Sequence, residues 1–310
     1  MAALPLISVV SPVYGCRSCL EELVDRIAVT LGTRYAPFEV VLVDDASPDH
    51  SWSRIVELGV DRPWLRGLRL SRNFGQHAAI MAGLQAAKGG IVVVMDCDLQ
   101  DRPEEIPRLI TAIEAGAEVA LAQRVDRSDG LLKRLGSWGF YKVLGWLTDT
   151  SYDHSTANFG AYSRKVINVL DAMPEADRFF PLMVKWTGYR PIEVNVEHSP
   201  RRDGKSSYSF LKLMKLALKT TISYSDKPLR LVVSAGLVFS AFAMLVVAYA
   251  IYRYVDGDIE VAGYTGIIAS IWLVGSVVLS SIGVVGLYIG RLFNDSKRRP
   301  NFVISETTNA

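Results

Sequence analysis

Up to about residue 225, short apolar runs alternate with amphipathic stretches. Leu6–Val10, Phe38–Val43, Leu65–Leu70, Ile91–Met95 and Glu118–Ala122 are brief and rich in Val, Ile and Leu, which predicts strands. Between them, Cys19–Leu31, Ser51–Leu58 and Gln76–Ala87 carry apolar residues at helical spacing. Pro103–Ala115 opens with a proline followed by two glutamates, as the first turn of a helix does. Strands alternating with helices predict an α/β fold with a Rossmann-like, mostly parallel, doubly wound sheet. Ser128–Asp153 is less regular and holds Lys133, Arg134 and a row of aromatics. Tyr208–Ser223 sets Phe210, Leu211, Met214, Leu218 and Ile222 against Lys212, Lys215 and Lys219. Such a basic amphipathic helix suits a membrane interface, or else it packs on the sheet.

Two longer runs follow. Leu231–Tyr252 has 22 residues without a charge and Val261–Gly290 has 30. A membrane-spanning helix needs about 20 apolar residues, so each is long enough to cross; the alternative is a pair of buried core helices. Lys227 and Arg230 precede the first run, and Arg291, Lys297, Arg298 and Arg299 follow the second. The connector carries Asp256, Asp258 and Glu260 against Arg253. Positive charge collects on the cytoplasmic side, so both termini are expected in the cytoplasm of a multi-pass inner-membrane protein. Met1–Val10 lacks the basic start and apolar core of a signal peptide and reads as a first strand. The expected organisation is a domain over residues 1–206 and an interfacial region over 207–227. A two-helix hairpin (about 229–252 and 266–289) then occupies 228–291, and a tail over 292–310 has its last ten residues disordered.

Composition narrows the partners. A formal charge of +2 on 310 residues gives no reason to expect nucleic acid. Three cysteines in a cytoplasmic domain are expected to be reduced. The isolated Cys16-Arg17-Ser18-Cys19 is weak evidence for zinc or redox chemistry. Gly275, Ser276, Ser280, Ser281, Gly283 and Gly286 let membrane helices approach closely, which favours a homo-oligomer.

The candidate chemistry lies at strand ends. Asp96-Cys97-Asp98-Leu99-Gln100-Asp101 follows a predicted buried strand, where open α/β sheets place ligands. Its oxygens suit a hard cation such as Mg²⁺ or Mn²⁺ shared with substrate phosphates; taken alone, two acids there also make a turn or helix cap. Asp44 and Asp45 end the second strand and equally read as a capped turn.

Ser11-Pro12-Val13-Tyr14, Val43-Asp44-Asp45-Ala46-Ser47-Pro48-Asp49, Ser71-Arg72-Asn73-Phe74-Gly75-Gln76-His77, the Asp96–Asp98 element and Arg201-Arg202-Asp203-Gly204-Lys205-Ser206-Ser207-Tyr208-Ser209-Phe210 occur in order. Together they resemble the family-2 glycosyltransferases of the polyisoprenyl-phosphate branch, which holds dolichyl-phosphate mannose synthase and the bacterial undecaprenyl-phosphate glucose and aminoarabinose transferases. The resemblance spans about residues 6–300. It implies a GT-A fold with a C-terminal two-helix transmembrane hairpin. It also implies inverting transfer of one sugar from a nucleotide-sugar, a UDP-sugar, to a polyprenyl phosphate at the cytoplasmic face, for a cell-envelope glycan. By the same resemblance Pro12, Tyr14, Asp44, Asp45 and Asp96 bind the donor, and Asp96, Asp98 and Gln100 hold the metal. Arg124, Lys133, Arg134, Ser137, Arg201 and Lys205 take the lipid phosphate, although Lys133 and Arg134 also suit a solvated basic face. Tetramers are known in the family.

Three departures mark this chain. Asn158, in Ala157-Asn158-Phe159-Gly160, replaces an Asp of the relatives, so it is expected to position sugar or phosphate instead of acting as a base. Ser207 stands where relatives carry a cation before the aromatic, with Lys205 two places earlier. Gly15-Cys16 replaces the usual Asn-Glu after the first Pro-x-Tyr. Two other classes remain to be separated from the transferase: a catalytically impaired binding protein, for which Asn158 is the hint, and a polysaccharide synthase. The Gln-x-x-Arg-Trp element typical of such synthases does not occur here.

Overall fold

Strands packed by helices on both faces must be apolar on both, and β1 (Ile7–Val13) and β2 (Phe38–Asp44) are buried along almost their whole length. Alternation divides their side chains. Ile7, Val9, Val13, Val40 and Leu42 join one core, and Val10, Val41 and Val43 join the other. The first core is closed by α1 (Leu20–Gly32), α2 (Ser51–Gly59) and α4 (Ile106–Glu114). The second is closed by α3 (Gln76–Ala86), α5 (Arg164–Ala172) and α6 (Phe180–Trp186). The result is a helix–sheet–helix sandwich. These coordinates are a computed structural model that describes residues 7–32, 34–124, 156–173, 179–197, 227–256, 264–297 and 299–308.

The remaining strands are β3 (Leu65–Leu70), β4 (Ile91–Val94), β5 (Val119–Arg124), β6 (Thr156–Ser163), β7 (Ile192–Val196) and β8 (Ile304–Thr307). Their order is β7-β5-β6-β4-β1-β2-β3-β8. Among the described residues four of the seven pairings are parallel, and β6 and β8 supply the antiparallel ones. The expected α/β sheet is therefore present, as a mixed sheet whose parallel half runs β4-β1-β2-β3. Gly83 lets α3 press on that half. A Cβ there would run into Val10 Cγ1 and lie 3.1 Å from Val43 Cγ2.

The last residues correct the expectation of a disordered tail. Ile304–Thr307 pairs antiparallel with β3, and Glu306 accepts bonds from Arg69 Nη1 (2.5 Å) and Trp52 Nε1 (2.9 Å). The Gly67 amide donates to Thr308 Oγ1 at 2.7 Å. Four mostly polar residues carry no apolar signal of their own, so only the waiting edge of β3 makes them a strand.

The chain divides into two units. The first, Met1–Gly130 with Asp153–Ser207 and Arg299–Ala310, holds the sheet. The second contains α7 (Lys227–Val255) and α8 (Tyr264–Ser296), which touch each other. Among the described residues, Leu273–Phe293, at mean hydropathy 2.0, is long and apolar enough to cross a membrane, whereas α7 offers the shorter apolar stretch Leu229–Phe239. The amphipathic segment expected at 207–227 lies outside the described residues except for Lys227.

Replacing Gly83 by valine should cost about 1–3 kcal/mol through overpacking. Urea titration of the full chain in detergent would show it as a lower midpoint, and an unchanged midpoint would contradict the tight contact between α3 and the sheet.

Candidate active site

Strands β3, β2, β1 and β4 run parallel, so their carboxyl ends share one edge, and the loops leaving that edge line a cleft of about 290 Å³. Pro12, Tyr14 and Cys16 come from β1 and the loop after it, and Asp45 follows β2. Asn73, Gly75 and Gln76 follow β3, and Asp96, Cys97 and Asp98 follow β4.

Asp44 ends β2 and is fully buried. Its Oδ1 accepts the Ser47 amide at 3.2 Å. Its Oδ2 has no hydrogen-bond partner among the described residues, and Arg69 Nε stands 3.9 Å away. Burial pushes the carboxyl above its usual range, against the opposing pull of Ser47 and Arg69. Asp44 is not part of the cleft wall; it lies one residue behind Asp45, which is.

Asp45 is committed to the backbone. Its Oδ1 accepts the Phe74 amide at 2.7 Å and its Oδ2 the Gly75 amide at 2.9 Å. Burial raises this carboxyl too, while the two amides draw it down. Gly75 adopts φ 95°, a conformation that favours glycine, and so turns the chain into α3. The first residue of α3, Gln76, then donates from Nε2 to Asp96 Oδ1 at 2.7 Å.

The loop after β4 is shaped by Leu99. Its φ is 59°, in the left-handed region, and its side chain is buried in the core under α4. Holding a leucine there costs about 1–3 kcal/mol, and burial of the side chain offsets it. The turn brings the Gln100 amide to Asp98 Oδ1 at 3.2 Å and leaves Asp98 in the cleft wall.

No group of three or more His, Cys, Asp or Glu side chains that could hold a metal ion occurs among the described residues. Asp96 and Asp98 instead offer two carboxylates on one wall. That donor set fits a small hard cation that keeps waters and substrate oxygens as its other ligands. Gln100 is half-buried and is not part of the wall.

Asn158 lies in β6 at an irregularity, where Leu121 pairs with Gly160 but Gln123 pairs with Thr156. On the other side Val94 pairs with Gly160, and continuing that register by two residues leads to Asp96 and Asn158. Asn158 is half-buried and does not line the cleft. Arg124 is the last residue of β5, opposite Val196. Lys133, Arg134, Ser137, Arg201 and Lys205 lie outside the described residues.

Two features were not anticipated. Gln76 occurs in a motif of the sequence, but its bond to Asp96 depends on how loop and helix meet. The expectation of three reduced cysteines is corrected, because Cys16 and Cys97 form a disulfide with their Cα atoms 6.4 Å apart, while Cys19 is free. The two are 81 positions apart in sequence, and only the adjacency of β1 and β4 brings their loops together.

Comparison with known proteins places this mixed α/β sheet, with a cleft at its parallel carboxyl edge and paired acids after β4, among glycosyltransferase domains of GT-A type. The chain belongs to glycosyl transferase family 2, whose profile matches residues 8–169. An undecaprenyl-phosphate 4-deoxy-4-formamido-L-arabinose transferase of Pectobacterium carotovorum subsp. carotovorum (strain PC1) is 32% identical over 311 residues, covering 98% of this chain and 94% of that protein. A prophage bactoprenol glucosyl transferase homolog of Escherichia coli (strain K12) is 33% identical over 299 residues, covering 96% and 98%. Among solved structures, glucosyl-3-phosphoglycerate synthase from Mycobacterium tuberculosis, in complex with Mn²⁺, UDP-glucose and phosphoglyceric acid, matches with a TM-score of 0.52. It covers 71% of this chain and 78% of that one at 18% identity, which is a likeness of fold.

The raised Asp44 carboxyl has a consequence for stability. An acid whose folded pKa exceeds its unfolded value contributes stability that is present below the unfolded pKa and lost as pH rises through the folded one. An Asp44→Asn variant does not undergo that loss. Its thermal midpoint should exceed that of the parent at pH 7, with the gap narrowing as pH falls toward about 4. A variant less stable at pH 7 would show that the carboxylate is not penalised by burial.

Proposed function

We propose that the protein is an inverting, metal-dependent transferase. It moves one sugar from a nucleotide-sugar, taken to be a UDP-sugar, to an undecaprenyl-type polyprenyl phosphate at the cytoplasmic membrane face, and so supplies a lipid-linked sugar for a cell-surface glycan. One observation carries this reading: Asp96 and Asp98 share a cleft wall at the sheet edge where Asp44, just behind the wall, has a buried oxygen without a hydrogen-bond partner among the described residues. Relatives named for undecaprenyl-phosphate and bactoprenol transfer, which align over nearly the whole chain, support the acceptor class. The fold neighbour with Mn²⁺ and UDP-glucose supports the donor class.

Each residue has a task in this reading. Asp44, buried just behind the wall, would help to shape the nucleoside pocket from there, its Oδ2 being without a hydrogen-bond partner among the described residues. Tyr14 and Pro12 would wall the base, and Gln76 fixes the rotamer of Asp96. A bound Mg²⁺ or Mn²⁺ would neutralise charge on the departing nucleoside diphosphate. The acceptor needs no strong base, because a phosphate monoester with a second pKa of about 6 is largely ionised near pH 7. Asn158 therefore acts through hydrogen bonds to sugar or phosphate, since an amide takes no proton. Arg124, Lys133, Arg134, Ser137, Arg201 and Lys205 form the set assigned to the lipid phosphate, guanidinium groups being suited to grip it bidentately.

Chain connectivity supports the membrane hairpin. The sheet unit is left before α7 and rejoined at β8. If α8 crosses the bilayer, the chain returns to the sheet by crossing it a second time, and in this reading α7 is taken as that second crossing.

A donor panel offered with undecaprenyl phosphate, with the lipid product read by mass, tests the proposal. Asp98→Ala should lower transfer by about 100-fold or more without changing the circular dichroism spectrum. Chelation should abolish transfer and Mn²⁺ or Mg²⁺ restore it. Substantial transfer by Asp98→Ala would overturn the metal assignment. A gain of orders of magnitude in Asn158→Asp would overturn the account of base-free attack.

A further inference from the structure

The Cys16–Cys97 bridge joins the two loops on which the donor reading depends. Cys16 follows Tyr14 by two residues, and Cys97 stands between Asp96 and Asp98; all five line the cleft. Cys97 is only 5% exposed, whereas Cys16 is half-buried in the cleft wall. Cys16 is also the position at which the chain departs from the Asn-Glu of its relatives. The backbone beside it is already tied down. The Gly15 amide reaches Ser47 Oγ at 3.3 Å, and the Arg17 amide reaches Asp49 Oδ2 at 3.0 Å. The loop of Asp96 and Asp98 is held by Gln76 and by the burial of Leu99, and the bridge adds a covalent tie between it and this frame.

We propose that Cys16 and Cys97 are a thiol–disulfide exchange site that sets the affinity of the cleft for a metal-bound nucleoside diphosphate. The inference rests on the donor reading of the cleft. In a cytoplasmic domain a disulfide is kept open by the thiol pool unless it serves a redox role, and here it occurs in a site wall, with Cys97 also reaching the first core. The exchange partner is a dithiol. One of its thiolates attacks Sγ of Cys16, the more accessible sulfur. The bond to Cys97 breaks, and Cys97 leaves as a thiolate and takes a proton. The second thiol of the reagent then displaces Cys16, leaving two protein thiols and an oxidised reagent, with two electrons transferred. The bridged form holds Asp96 and Asp98 at a fixed distance from the Tyr14 loop, so binding meets a smaller ordering cost. Opening the bridge removes the covalent tie between the Tyr14 loop and the metal loop and weakens binding without touching a ligand atom.

The full chain in detergent is equilibrated across ratios of oxidised to reduced dithiothreitol, trapped by alkylation and mapped as peptides. Mn²⁺·UDP binding is measured on the same samples. The expected result is a Cys16–Cys97 linked peptide at the oxidising end, with Kd about tenfold lower there than at the reducing end. Cys16→Ser and Cys97→Ser should bind like the reduced form at every ratio, and Cys19→Ser should respond like the parent. Alkylation of both Cys16 and Cys97 at every ratio would overturn the exchange site, whatever the cleft binds. A linked peptide with equal Kd at both ends, or tighter binding when reduced, would overturn the control of affinity. An Asp98→Asn variant that binds Mn²⁺·UDP as tightly as the parent would instead overturn the donor reading, and with it the functional half of this inference.

Discussion

The carboxylate of Asp45 spends both oxygens on consecutive amides, those of Phe74 and Gly75, and much of the cleft depends on that choice. Hydrogen bonds to a charged group are worth about 1.5–3 kcal/mol each, enough to fix a short loop in one conformation. Fixing it aims the first turn of α3 at the neighbouring strand, and Gln76 then reaches Asp96. The end of β2, the loop after β3, the start of α3 and the loop after β4 thus form one line of contacts. A disturbance at Asp45 would be felt at Asp96 without any residue between them changing identity.

Much of what opposes stability in the sheet unit collects at this same edge. Asp44 is buried with one oxygen unpaired among the described residues, Asp45 is buried as well, and Leu99 holds a backbone conformation poor for its side chain. The rest of the sandwich is conventional by comparison, with apolar strands pressed on both faces by helices of matched pattern. A rigid platform is what allows such costs to persist, because the packing around each one leaves it no cheaper arrangement.

How much of this was legible in the sequence depended on where the information lay. The strands of the parallel half, β4-β1-β2-β3, announced themselves as apolar runs, and Leu65–Leu70 matches its prediction residue for residue, whereas β7, parallel to β5, was not predicted. Acids at the ends of those runs fell in or just behind the cleft wall for the same reason, since strand direction fixes the edge. Strand β6 escaped notice because Thr156–Ser163 has no Val, Ile or Leu and includes Gly160, whose missing Cβ makes room for the Ala120 carbonyl. Strand β8 is legible only through its partner. The disulfide and the bond from Gln76 to Asp96 join residues 81 and 20 positions apart, and no local pattern records which loops a sheet will set side by side.

Strand β8 also orders events during synthesis. The edge of β3 cannot be covered until the ribosome has made both long helices and the residues after them. Until then the sheet presents a row of unpaired amides and carbonyls, the kind of edge that recruits strands from other chains. A fragment ending before α7 would keep that edge permanently. Such a fragment would hold the cleft residues and yet be prone to aggregate, so the apolar helices and the short polar strand after them are best regarded as part of the sheet unit's own construction.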